Sequence, residues 1–158
     1  MSRVYFTDRD LGKQFPAILA AAGFQVERHH DLFAPDGTDE QWLQYCGAKR
    51  RIAITHDQRI RHKVNEREAV MQHGVALLVV IGKSPHPELA RQFVATLPKI
   101  EAFLAAHTPP FIAKVYRAPA VKAATLHAAS GLTAKGQARI EPVAAGTVAL
   151  WYPPAKCP

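Results

Sequence analysis

Three aspartates that follow or flank predicted strands are the residues of this sequence best suited to metal chemistry. Asp8 comes directly after the first predicted strand, Asp57 follows the third, and Asp39 begins the helix that leads into the third. Ligands of an open parallel sheet bind at the carboxyl ends of its strands, and the loop over 31–38 is long enough to bring Asp39 to that edge. We predict that the three carboxylates are catalytic and hold Mg²⁺ or Mn²⁺, ions that prefer carboxylate and water oxygens. The alternative for each is a structural role, as a helix cap, a first-turn charge or a turn residue.

Other charged residues lie close to these aspartates in the sequence. Asp10 and Glu40 are candidates for supporting the ligands without binding the ion directly. Arg59, Arg61 and Lys63 are candidates for binding phosphates, because guanidinium groups bind phosphate oxygens in pairs; a solvated turn is the alternative for them. The histidines show no HExxH or HxxxH spacing, so we do not expect histidine ligands.

The elements that must position these residues alternate along the chain. Patterns of β-branched and apolar residues predict strands at 3–7, 24–30, 51–55, 75–82 and 111–116. Helical spacing predicts helices at 11–22, from Thr38 onward, near 65–74 and over 84–107, where Pro98 is expected to kink or break the helix. This order predicts a three-layer α/β/α fold around a central, mostly parallel sheet of about five strands.

The last quarter of the chain has a different composition. Residues 118–158 are rich in Ala, Gly and Pro, and TVALWY at 147–152 is their one clear strand pattern. We therefore predict one α/β domain over 1–117 and a C-terminal extension over 118–158 that is loosely structured or binds a partner.

Composition and charge narrow the class of protein. Two cysteines and charges within the first ten residues argue against a secreted, disulfide-bonded protein, and we expect a cytoplasmic one that does not enter membranes. The net charge of +7 is uneven, because eleven Lys/Arg accompany ten Asp/Glu through residue 70, whereas nine accompany three afterwards. A basic half joined to an acid-bearing half suits a polyanionic substrate.

Three segments of the chain resemble a known family in order and spacing. VYFTDRDLG, DLFAPDGTDEQWL and IAITHDQRIR are similar to the PIN-like domains of VapC-type toxins, and the resemblance covers roughly residues 3–116. It implies a metal-dependent endoribonuclease that hydrolyses RNA with a metal-activated water and is paired with a cognate antitoxin; a homo-oligomer is a further possibility. The family's acids fall on Asp8, Asp39 and Asp57.

The resemblance has two departures, and they support a second hypothesis. Arg9 and Asp10 stand beside the first acid, where the family often has Asn or Glu. Gln58, Arg59 and Ile60 stand where many PIN domains carry a fourth acid, which favours one firmly held metal over two. A catalytically weak module that binds nucleic acid or a partner protein is therefore the alternative.

A phosphorelay receiver is a third, weaker hypothesis. Asp8 and Asp10 with Asp57 have the distribution of acids that such domains use. Receivers also need a hydroxyl residue and a lysine after later strands, for which Ser84 and Lys114 are the candidates.

Overall fold

A single mixed sheet forms the centre of the molecule. The computed structural model describes residues 3–118 and 145–153. Its strands are β1 (Val4–Thr7), β2 (Gln25–Arg28), β3 (Ile52–Thr55), β4 (Ala76–Ile81), β5 (Phe111–Tyr116) and β6 (Thr147–Tyr152). They lie in the order β2-β1-β3-β4-β5-β6, and only the β5–β6 pair among these is antiparallel. The predicted three-layer, mostly parallel α/β/α fold is confirmed.

Helices connect the parallel strands. They are α1 (Gln14–Ala21), α2 (His29–Leu32), α3 (Asp39–Lys49), α4 (Val64–His73), α5 (His86–Ala95) and α6 (Leu97–Ala106), with 3₁₀ turns at Arg9–Leu11 and Ile60–His62. The predicted break near Pro98 is present, since α5 ends one residue before Thr96 and α6 begins one residue after it. A proline at the second position of α6 has no amide proton to contribute, so it begins a helix more easily than it continues one. None of the helices within these described residues is long and apolar enough to cross a membrane.

The sheet has a core on each face. On the first face, α1, α5 and α6 pack around a cluster that includes Tyr5, Phe15 and Phe93. On the second face, α3 and α4 pack around a cluster that includes Phe6 and Trp42, whose rings stack 5.6 Å apart. Because Tyr5 and Phe6 are neighbours in β1, they alternate between the two cores. The central strands are thereby held rigidly, which fixes the residues that follow them.

Two expectations about the sheet need correction. Predicted strand 24–30 ends at Arg28, and His29 and His30 instead begin the short helix α2, where His29 is buried against the Phe6 ring. The sheet has six strands rather than about five, because TVALWY pairs with β5. Part of the predicted extension 118–158 thus belongs to the sheet, while residues 119–144 and 154–158 lie outside the described chain.

Candidate functional site

The site lies at the point where the strand order reverses. The chain passes from β1 to β2 on one side and then to β3 on the other, which opens a crevice at the carboxyl ends of β1 and β3. Asp8 follows β1 directly, and its backbone amide donates to the Ile54 carbonyl at 2.9 Å. This bond continues the β1–β3 pairing by one residue and places the Asp8 side chain, only 8% exposed, against the end of β3.

The 3₁₀ turn after β1 brings a second carboxylate to the same place. The turn at Arg9–Leu11 folds the chain back, and Asp10 accepts from the His56 backbone amide at 3.1 and 3.2 Å. His56 is itself held by a 2.7 Å contact between its ring nitrogen and the Gly82 carbonyl. Asp10, expected only to support the ligands, therefore lies beside Asp8 at the end of β3.

The Thr55 hydroxyl joins the two carboxylates. Its oxygen lies 3.0 Å from Asp8 Oδ2 and 3.2 Å from Asp10 Oδ2, and it accepts from the Asp57 backbone amide at 3.2 Å. A hydroxyl has one proton to donate and two lone pairs, so it can donate to only one carboxylate. A hydrogen bond to the other requires a proton on that carboxyl group. The geometry therefore fits a pair of acids that share one proton.

The electrostatics of this pair agree with the geometry. Burial raises the pKa of Asp8 to about 7, and the charges of Asp10 and Asp39 act in the same direction against hydrogen bonds from Thr55 and the Arg9 amide. Burial also raises the pKa of Asp10, opposed by hydrogen bonds from His56 and Thr55, while the charge of Asp57 adds to the increase. Among the described residues, neither carboxylate has a Lys or Arg ion-pair partner.

Asp39 lies close enough for its charge to act on the pair. Its carboxylate accepts from Trp42 Nε1 at 3.0 Å, which fixes it within the first turn of α3. Its negative charge contributes to the raised pKa of Asp8 and to that of Lys63. The charge of Asp39 therefore reaches Asp8 and Lys63, while no described contact joins its carboxylate to those of the other acids.

Asp57 differs from the other acids because cations surround it. Lys63 Nζ lies 2.7 Å from Asp57 Oδ2, and Arg59 donates to Asp57 Oδ1 through its backbone amide at 3.0 Å. Partial burial acts to raise the pKa of Asp57, but the bonds from Lys63 and the Arg59 amide outweigh it and hold the pKa below its usual value.

The remaining predicted residues have different surroundings. Glu40 is exposed in α3, and no contact joins it to the acids within the described chain. The Arg59 guanidinium lies 3.5 Å from Asp57 on a side chain that is 82% exposed, so it is accessible to a substrate. Lys63 is bound to Asp57. The backbone of Arg61 belongs to a 3₁₀ turn, and its side chain lies outside the described part.

The residues required by the receiver hypothesis do not meet. Ser84 accepts from Arg117 at 2.9 Å, and Lys114 lies over the Trp151 ring, 4.1 Å from its centre. Among described contacts, neither side chain reaches Asp57.

A divalent cation fits the acid pair, although the ligand set is incomplete. No three His, Cys, Asp or Glu residues within the described ranges are arranged closely enough to ligate one ion. Two adjoining carboxylates without a cationic partner, however, give the oxygen donors that Mg²⁺ and Mn²⁺ prefer, and such ions fill the rest of their coordination with water. A cation would also replace the proton that the pair shares.

Further basic residues lie beside Asp8. A recess of about 180 Å³ next to Asp8 is lined by Arg9, Lys13 and His30 among others. A larger cavity of about 620 Å³ opens at the opposite edge of the sheet, near Arg50. The smaller recess is the one that Asp8 lines, and we therefore take it, rather than the larger cavity, as part of the candidate site. Thr55 was not among the predicted site residues. The feature that could have indicated it is a hydroxyl residue that ends a strand two residues before an aspartate.

Comparison with known proteins gives one match. A family model described as a PIN-like domain matches residues 4–82, half of the 158-residue chain and the part that contains all four acids of the site. No curated protein and no solved structure matches the chain.

Proposed function

The chain belongs to the PIN-like domain family, and on this basis we propose that it is a Mg²⁺- or Mn²⁺-dependent endoribonuclease. The family consists generally of nucleases that use divalent metals, which supports both the type of reaction and the choice of ion. The observation that carries the proposal is the Asp8–Asp10 pair at the Thr55 hydroxyl. Two raised-pKa carboxylates in a crevice are typical of a functional site.

The acids would hold the ion, and the basic residues would hold the substrate. Asp8 and Asp10 are the proposed ligands, with Asp39 and Asp57 close enough to attract the ion. When bound, such an ion supplies a nucleophilic water at neutral pH and stabilises negative charge on a phosphoryl group. Arg59 is exposed beside the acids, so it can bind a phosphate oxygen without leaving a buried ion pair.

Lys63 gives Asp57 a different proposed role from that of Asp8 and Asp10. Its ammonium already neutralises Asp57, and the charge of Asp39 acts on it as well. The acid pair on the other side of the site has no such cation among the described contacts. We therefore place one metal ion at the Asp8–Asp10 pair, with Lys63 supplying positive charge beside it.

Cleavage of a labelled single-stranded RNA tests the proposed activity. Wild type should cleave in Mg²⁺ or Mn²⁺ and stop in EDTA. Asp8→Asn should lose cleavage while still binding RNA, because it removes a ligand charge and keeps the shape. Asp36→Asn, at an exposed loop position, is the matched control and should cleave normally. Metal-independent cleavage, or undiminished cleavage by Asp8→Asn, would refute the metal assignment.

The toxin role is a further part of the proposal. The resemblance to VapC-type toxins supports it and implies an antitoxin that covers the acidic site; a cytoplasmic location and a homo-oligomer stay predictions. Induced expression of wild type should arrest growth, and Asp8→Asn should not. If a neighbouring reading frame encodes a small antitoxin, its co-expression should relieve the arrest. Equal growth with wild type and Asp8→Asn would contradict a toxin role while leaving the nuclease assay unaffected.

A further inference from the structure

The second face of the sheet continues from the helices onto β5 and β6. Within the described residues, the helices on this face are α3 and α4, which pack around Trp42 and Val70, and α4 also contacts β5. Lys114 and Ala149 are register partners in β5 and β6. Since side chains alternate along a strand, Lys114 points to the same face as Ile112, a member of the core on this face.

A β-bulge places two consecutive, partly buried aromatic residues on this β5–β6 part of the second face. Ile112 pairs with Tyr152 and Ala113 pairs with Leu150, so Trp151 is an extra residue in β6. In a regular strand, Trp151 and Tyr152 would point to opposite faces. Because the bulge interrupts the alternation, both pack at the edge of the second-face cluster, while Leu150 packs on the first face.

Cationic side chains accompany both rings. Lys114 Nζ lies 4.1 Å from the centre of the Trp151 ring, and the Arg67 guanidinium carbon lies 5.1 Å from that of Tyr152. Lys114 and Arg67 have no carboxylate partner among the described ion pairs. We call the surface formed by Arg67, Lys114, Trp151 and Tyr152 the β6 shelf.

The β6 shelf begins next to the acid site. The ring of His62 lies edge-on to that of Trp151, 6.0 Å between centres. The next residue along the chain is Lys63, whose ammonium binds Asp57. Consecutive residues therefore contact the shelf and one of the acids, Asp57.

The distribution of acids favours a polyanion on this surface. After residue 71, the acidic residues of the described chain are Glu88 and Glu101, and both are in helices that pack on the first face. The acidic residues nearest to the shelf in sequence are Glu66 and Glu68, on either side of Arg67 in α4. Aromatic rings interleaved with Lys and Arg are the composition of surfaces that bind single-stranded nucleic acid, where bases stack and phosphates pair with cations.

We infer that the β6 shelf binds single-stranded RNA and leads it to the acid site. This inference rests on the proposed nuclease function and adds the path of the substrate. The partner is RNA rather than a protein because the shelf combines positive charge with stacking surfaces and carries no acidic residue. Single-stranded RNA is the form whose bases are free to stack on side chains.

Binding measured without cleavage tests the inference. A labelled oligouridylate is titrated into Asp8→Asn protein in EDTA, in the background that the proposed function predicts to bind without cutting. Adding Trp151→Ala should weaken binding about 5- to 100-fold, the range for loss of one stacked base. Adding Lys114→Gln should reduce the slope of log affinity against log salt by about 0.7, the loss of one phosphate contact on a single strand.

A matched charge change controls for non-specific attraction. Arg91 is exposed on α5, on the first face, so Arg91→Gln removes the same charge away from the shelf and should leave the salt slope unchanged. Because Trp151 also packs against the core, thermal melts must show that each variant is folded. Lys114→Gln tests the same surface without removing an aromatic ring.

Tryptophan fluorescence reports contact directly. The chain has two tryptophans, and Trp42 is fully buried, so quenching by oligouridylate should come from Trp151. Trp151→Phe should abolish the quenching and keep affinity within about threefold, because phenylalanine can still stack.

The outcomes separate the two proposals. If wild type cleaves RNA but shelf variants bind as tightly as the parent and fluorescence is unchanged, the inference is wrong and the nuclease function stands. Shelf variants that still bind RNA but no longer bind the antitoxin would also contradict the inference, and they would identify the shelf as a protein-binding surface. If wild type neither binds nor cleaves RNA, both proposals fail.

Discussion

The ammonium group of Lys63 lies 2.7 Å from the Asp57 carboxylate, at the edge of the acid site. The pKa of Lys63 is raised by this hydrogen bond, against some burial, and further by the charges of Asp57, Asp39 and Glu66. The lysine therefore carries its charge throughout the physiological range and neutralises the side of the site away from Asp8.

Replacing this lysine should change the number of metal ions bound. Lys63→Met removes the charge and keeps the length of the side chain, leaving Asp57 and Asp39 without their nearest cation. We expect calorimetric titration with Mn²⁺ to give one ion for wild type and a second, weaker ion for Lys63→Met. Lys49→Met, at the exposed end of α3, is the control. A single ion in all three proteins would show that Lys63 does not limit the stoichiometry.

The acid pair should lower the stability of the metal-free fold at neutral and higher pH. The pKa of Asp8 is about 7 in the folded protein, against 3.8 ordinarily, mainly because of burial. Between these pH values the folded protein binds a proton that the unfolded chain has lost, so the free energy of unfolding falls as pH rises through this window. Asp8→Asn cannot ionise and avoids this loss.

Thermal melts in EDTA measure the effect. At pH 8, Asp8→Asn should be more stable than wild type by on the order of 2 kcal/mol, or roughly 4–8 °C for a chain of this size. Near pH 3.5 the two should melt together, because the wild-type carboxyl is protonated in both states. Mg²⁺ at pH 8 should stabilise wild type and not the variant. Parallel stability curves for the two proteins across this pH range would contradict the burial of an ionisable Asp8.

The positions of the acids along the chain could be predicted from the sequence more easily than their hydrogen-bond and ion-pair partners. Asp8 and Asp57 were placed correctly because residues that follow parallel strands must reach the same sheet edge. The contacts of Asp10 could not be predicted, because the 3₁₀ turn after β1 determines which way its side chain points. Thr55 reads in sequence as the end of an apolar strand, and its hydroxyl acquires a role only when β1 pairs with β3.

The basic residues were harder to assign than the acids. Phosphate binding by Lys63 stays a prediction, and its contact with Asp57 could not be foreseen because the turn over Ile60–His62 determines where its ammonium lies. The six-residue strand TVALWY was recognisable from its composition, yet its pairing with β5 joins residues far apart in sequence. The bulge at Trp151 depends on that register and has no signal in the sequence alone.

Removing the Thr55 hydroxyl should weaken metal binding without removing a ligand. Thr55→Val keeps the β-branched shape at a fully buried position and deletes the contacts to Asp8, Asp10 and the Asp57 amide. Loss of a residue that orients ligands typically costs 10- to 100-fold in metal affinity, and we expect a loss of that size for Mn²⁺. Thr55→Ser, which retains the hydroxyl, should restore most of the affinity. If Thr55→Val binds Mn²⁺ as tightly as wild type while Asp8→Asn does not, the acids are positioned by the backbone alone and the hydroxyl is dispensable.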